Sequence, residues 1–145
     1  TQFNGYKRGF LSEAQKSIIM SIWEKHQEKL SNAIENENTI LIDCHSFPNE
    51  MYDCDICIGH NEDWSYDKKI VDGVVEIFKE RGYKVEVNKP YSNSITPPKE
   101  FHYKSFMIEV NKRIYMNEKT LSLTNESLKW TRWAGTLKMI HKFLS

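Results

Sequence analysis

Thr39-Ile40-Leu41-Ile42-Asp43-Cys44-His45-Ser46-Phe47-Pro48-Asn49 is the stretch whose reading decides the fold. Its first six residues are short, apolar and rich in β-branching, the pattern of a strand buried on both faces in an α/β sheet. A histidine flanked by an acid and a small hydroxyl then stands at the strand's carboxyl end, where open α/β sheets place their ligands. There a ring nitrogen can serve a metal while a neighbouring group fixes its tautomer. A lone loop histidine serves equally well as a surface or hydrogen-bonded structural residue. The remaining sequence has to choose.

Upstream, Ser12-Glu13-Ala14-Gln15 has the form of a capping box, so a helix is expected to start there. Ile18, Ile19, Ile22, Trp23, Leu30, Ala33 and Ile34 recur at near-helical spacing to about Glu35, and the helix leads straight into the strand. Downstream, a strand is expected over Asp55 to Gly59, then an aperiodic polar loop over His60 to Tyr66. The spacing of Ile70, Val71, Val74, Val75 and Phe78 predicts a helix over 67–81, with Gly82 at the left-handed C-terminal position. Tyr83 to Asn88 reads as the next strand, so the 67–81 helix is the crossover between parallel neighbours.

Pro90, Pro97 and Pro98 make Lys89 to Glu100 a long loop. In the strand expected over Ser105 to Lys112, Phe106, Ile108 and Val110 share one face while Met107, Glu109 and Asn111 share the other. That alternation puts a carboxylate inside a strand, where it needs a partner or a purpose. Leu128, Trp130, Trp133, Leu137, Ile140 and Leu144 mark a C-terminal amphipathic helix whose tryptophans read as core.

At 145 residues, 39% of them apolar, the chain suits one α/β domain with one ordinary core. Twenty basic and twenty acidic residues cancel, which removes the electrostatic footprint of a nucleic-acid or anionic-membrane binder. The apolar runs fall far short of the ~20 residues that span a bilayer, and no signal-peptide core opens the chain. A cytoplasmic protein with a small-molecule substrate and an open oligomeric state is expected. Cys44, Cys54 and Cys57 are odd in number, which fits a reducing compartment better than a disulfide framework. Cys54 and Cys57 have CxxC spacing, but on a strand residues three apart face opposite sides, which argues against a metal or redox pair. The chain opens on Thr1, not Met, as expected of processed or trimmed material or of part of a longer polypeptide.

Four segments taken in order, LIDCHSFP (41–48), DCDICIG (53–59), VNKPYS (87–92) and MIEVNKRIYM (107–116), resemble the N-formylglutamate amidohydrolase family. The resemblance implies a three-layer α/β/α sandwich with a mixed sheet, similar to the zinc carboxypeptidase and aminopeptidase (phosphorylase/hydrolase-like) fold. The expected domain covers 1–145 as a single α/β hydrolase-type unit lacking its N-terminal part. It also implies zinc, or another divalent metal, and cleavage of N-formyl-L-glutamate or a related N-acyl amino acid. By the same resemblance His45 is a metal ligand, Glu109 is the general base, and the remaining ligands lie outside this chain. Asn88, Tyr91, Asn111, Lys112 and Arg113 are expected at the substrate, with Asp43, Ser46 and His26 as further site candidates. The chain departs from the family pattern where Lys112 replaces an arginine and Asn93 a glycine, the latter compatible with a left-handed backbone. Those departures leave a second expectation open, a non-catalytic family member that binds a small molecule or a partner.

Overall fold

The structure is a computed structural model that describes residues 11–124 and 127–145. These residues fall into two compact units, one running up to Glu35 and including Pro97–Lys99, the other comprising Asn36–Thr96 and Glu100–Ser145. The first is built on helix α1 (Glu13–Ala33), which starts as expected. Ser12 accepts from the Gln15 amide and the Gln15 side chain accepts from the Ser12 amide. None of its residues is buried, and Ile18, Ile19, Ile22 and Trp23 are each at least half exposed.

The second unit holds a four-stranded mixed sheet of β1 (Ile40–Phe47), β2 (Ile56–Gly59), β3 (Val85–Val87) and β4 (Lys104–Asn111), in the order β1-β4-β2-β3. β1 runs parallel to β4 and β2 parallel to β3, while β2 and β4 are antiparallel. Helix α2 (Lys68–Glu80) makes the crossover from β2 to β3. Asp67 caps it by accepting from the Lys69 and Ile70 amides, and Gly82 follows it at φ 78°, a conformation that costs only glycine nothing. Helix α3 (Ser127–Leu144) packs on α2 so closely that a side chain at Gly73 would run into the Phe143 ring.

The main core lies where α2 and α3 meet one face of the sheet. Ile56, Ile58, Phe106 and Ile108 from the strands pack there with Val71, Val74, Phe78 and Ile140 from the helices, and Trp133 joins at the margin. The α/β class matches the sequence pattern and the mixed sheet matches what the family resemblance implies, and the helical layer this unit itself supplies is α2 with α3. A short hairpin, β5 (Met116–Asn117) with β6 (Ser122–Leu123), was not anticipated. Among the described residues no helix is long and apolar enough to cross a membrane.

Two expectations need correction. β1 extends to Phe47, so His45 sits within a strand and not in the loop after it, and β1 is not buried on both faces. It pairs with β4 alone and its residues 44–46 are exposed, whereas β4, between two partners, is buried over residues 105–109. Apolar residues in sequence could not distinguish an edge from a centre. The second correction concerns the CxxC pair. β2 begins only at Ile56, so strand alternation does not govern Cys54, and Cys54 and Cys57 lie in one buried cluster with Phe47.

Candidate functional site

β4 carries the centre of the site. Its even-numbered residues Phe106 and Ile108 enter the helix-side core, which turns Met107, Glu109 and Asn111 to the opposite face. Register sets His45 of β1 directly beside Glu109, and Cys57 of β2 beside it on the other flank. Adjacent strands are ~4.8 Å apart, so three residues remote in sequence form one row across the sheet.

Asp43 is two residues before His45 and therefore on the same face. His45 Nε2 lies 2.7 Å from Asp43 Oδ1. An ionised carboxylate only accepts, so the ring donates from Nε2. The other Asp43 oxygen, Oδ2, accepts the backbone N–H of Ile95 at 3.2 Å, which ties the site to the proline-containing loop after β3. That loop is itself held firmly. Asn61 accepts from the Ser94 amide and donates to its carbonyl, Ser94 bonds Ser105, and the Cys57 thiol donates to the Tyr91 carbonyl at 3.2 Å.

Glu109 is 6% exposed, and its Oε2 is buried without a hydrogen-bond partner. Burial pushes its carboxyl above the usual carboxylate range; neighbouring His45 pulls back and the Asp43 charge pushes further up. A buried carboxyl left unpaired is costly for stability. The same raised proton affinity suits a group that must take up and release a proton near neutral pH.

The other expected site residues are distributed unevenly. Tyr91 packs with Phe47, Cys54 and Cys57 on the Glu109 side of the sheet, and its hydroxyl reaches Met51 Sδ at 2.9 Å. Lys112 follows β4 in a one-turn helix (Lys112–Ile114), and its ammonium has no hydrogen bond or ion pair among the described residues. Arg113 is committed elsewhere: Nε and Nη2 bond Asp55 Oδ1 at 3.0 and 2.8 Å, and Nη1 reaches Asp53 and Asn49. Asn111, fully buried, donates to the Cys54 carbonyl and accepts from the Arg113 amide. Asn88, at φ 56°, accepts from the His60 amide and meets the His60 ring. Ser46 bonds the Tyr115 hydroxyl at 3.1 Å, and His26 is exposed on α1, in the other unit. Asn93, which stands where the family pattern has glycine, has φ 71°, a left-handed backbone that asparagine tolerates.

His45 and Asp43 supply the nitrogen and oxygen donors that zinc takes, with Glu109 alongside. The number falls short. Among the described residues no group of three histidine, cysteine, aspartate or glutamate side chains is arranged to hold a metal ion.

With this geometry in view, the sequence model of N-formylglutamate amidohydrolase matches residues 2–116. The chain belongs to the N-formylglutamate amidohydrolase family. The crystal structure of N-formylglutamate amidohydrolase from Ralstonia eutropha JMP134 aligns with a TM-score of 0.57 and 25% identity, over 72% of this chain and 44% of that one. YNDL in its apo, zinc-free form aligns with a TM-score of 0.46 and 16% identity, over 70% of this chain and 52% of that one. No curated protein matches the chain. It therefore spans less than half the length of the Ralstonia amidohydrolase.

The amidohydrolase-family segments are not scattered over the fold. Residues 41–48 form most of β1, 53–59 lead into β2, 87–92 start the loop after β3, and 107–116 hold the end of β4 and its turn. They contribute His45, Cys57, Tyr91 and Glu109 to a single side of the sheet. Cys57 carried no catalytic signal in the sequence. Only the antiparallel register of β2 on β4 brings it to Glu109.

Proposed function

We propose that this chain carries the amide-hydrolysing centre of a zinc-dependent amidohydrolase, acting on N-formyl-L-glutamate or a related N-acyl amino acid to give the free amino acid and formate or the matching acid. The observation that supports this reading best is Glu109. It is a buried carboxyl with one oxygen unpaired and its proton affinity raised, standing in register with a histidine that a carboxylate holds in place.

Glu109 takes the proton from the attacking water and passes it to the departing amine, so one carboxyl serves as base and then as acid. His45, oriented by Asp43, would hold the zinc together with ligands beyond this pair. When bound, zinc supplies Lewis acidity to the scissile carbonyl. Lys112 offers a point charge to a substrate carboxylate, without the bidentate fork of arginine. Tyr91 walls the site beside Cys57, while Asn88, Asn111 and Arg113 fix the loops that shape it.

The test is Glu109→Gln. Formate release with zinc present is expected to fall about 10²-fold or more, with zinc uptake by calorimetry unchanged. Undiminished turnover in that variant would remove Glu109 from the chemistry. The second reading, a non-catalytic family member, is favoured by the lack of a third ligand among the described residues. Full-length protein that neither binds zinc stoichiometrically nor releases formate would support it.

A further inference from the structure

The sheet ends differently on its two edges. β3 closes one with three residues, whereas β1 closes the other with eight, Ile40–Phe47, paired to β4 alone. A long open edge is a template for another strand, which natural proteins blunt with proline, lysine, a bulge or brevity. Ile40–Phe47 contains neither proline nor lysine, and it pairs with β4 residue for residue without a bulge. The Thr39 carbonyl accepts from the Lys104 amide. Because strand residues turn their backbone groups to alternate sides, Ile40, Ile42, Cys44 and Ser46 direct N–H and C=O away from β4. Among the described residues these outward groups have no backbone partner, and the Ile42 carbonyl meets only the Cys44 thiol at 3.9 Å. Residues 44–46 are exposed.

The exposed segment is complementary to itself, and that selects the occupant. In an antiparallel pair centred on Cys44, Asp43 stands opposite the partner's His45 and His45 opposite the partner's Asp43. Both fall at non-hydrogen-bonded positions, where facing side chains come closest. Cys44 meets its own copy as a hydrogen-bonded pair, and Ile42 meets the partner's Ser46. A centre at Asp43 would oppose two carboxylates, and one at Ile42 would set the carboxylate against Leu41. On the helix side the edge continues into a groove of about 540 Å³ lined by Cys44, Ser46, Ile114, Tyr115, Trp130 and Trp133 among others. The Cys44-centred register brings the partner's Ile42 to the rim of that groove.

We propose that the chain self-associates through β1, two copies pairing antiparallel about a two-fold axis at Cys44 to make one continuous sheet. Each copy thereby sets its His45 against the other's Asp43. The pairing goes beyond the amidohydrolase reading and requires neither zinc nor turnover.

Sedimentation of the full chain in metal-free buffer makes the outcome independent of zinc and of formate release. A species of twice 17.2 kDa is expected at micromolar concentration. A short bis-maleimide should link two copies through Cys44, because directly opposed hydrogen-bonded residues have Cα atoms only ~5.5 Å apart. The Cys44→Ser chain should still pair but stay unlinked, since Cys54 and Cys57 are buried. Cys44→Lys sets two ammonium groups against each other at the axis and should weaken association at least about tenfold. Its circular dichroism should match the wild type, because Cys44 is exposed. If that variant does not fold, the wild-type cross-link decides alone. A monomer throughout the micromolar range, a dimer that yields no Cys44 cross-link, or one that a folded Cys44→Lys chain forms at full strength would each overturn the proposal.

Discussion

The two faces of this sheet are made from the same strands, often from adjacent residues, yet they are built on different principles. Towards α2 and α3 the strands present Ile56, Ile58, Phe106 and Ile108, and the helices answer with Val71, Val74 and Phe78. Towards the other side the intervening residues are Cys57, Met107, Glu109 and Asn111, with Asp43 and His45 from β1. Their covering is a loop-borne cluster of Met51, Tyr52 and Tyr91, joined by side-chain hydrogen bonds to backbone. Dense apolar packing stabilises the first face. The second holds a buried acid without a full set of partners, a cost that makes sense where a proton must move.

The largest effect should come from breaking the helix-packed face. Phe78 is fully buried between the sheet, Tyr83 and Trp133. Phe78→Ala is expected to cost about 3–5 kcal/mol, read as a lower urea midpoint at unchanged slope. A loss below about 1 kcal/mol, the size of an ordinary surface change, would mean that this face is not where stability resides.

This division explains what was legible in the sequence and what was not. The alternation through Phe106, Met107, Ile108 and Glu109 was visible because a strand's period is two, and the helices were visible from their apolar spacing, the Ser12 box and Gly82. The family pattern singled out His45 and Glu109 before any register was known. Their adjacency was not legible, because pairing between β1 and β4 joins residues 64 positions apart by register alone. The edge position of β1 was hidden for the same reason. Neither Asn111 nor Arg113 could be separated from substrate-facing residues in advance, since their partners, the Cys54 carbonyl and Asp55, meet them only through folding.

A smaller effect sharpens the comparison by asking whether the loop-packed face is as tight as it is polar. Cys44 is exposed, while Cys54 and Cys57 are fully buried. Burial and the neighbouring Cys57 push the Cys54 thiol up to about 12, and burial raises Cys57 as well. Burial and the Asp43 charge raise the Cys44 thiol too, so the contrast rests on access to the thiolate: alkylation near neutral pH should label exposed Cys44 at least about a hundredfold faster than the two buried thiols. If Cys57 labelling accelerates in Phe78→Ala in step with lost stability, the two faces open together. Labelling of Cys57 that ignores that substitution would show the loop cover opening by itself, as a local event.

The smallest effect belongs to Glu109 and concerns the metal-free protein. Its carboxyl binds a proton more tightly in the folded chain than in the unfolded one, chiefly through burial, with Asp43 adding to the shift and His45 opposing it. Between the ordinary carboxylate range and the raised folded value, the folded state therefore holds more protons. Stability contributed by this group is present below the unfolded value and is lost as pH rises through the folded one, with a slope that cannot exceed ~1.4 kcal/mol per pH unit for one proton. Urea midpoints across that window should decline in the wild type, and Glu109→Gln should flatten the decline, because an amide does not ionise. On the helix-packed face Phe78→Ala should shift the whole curve downward and leave the slope intact. An identical slope in wild type and Glu109→Gln would mean that Glu109 is solvated or paired in solution, and the contrast between a stabilising face and a chemically poised one would lose its central residue.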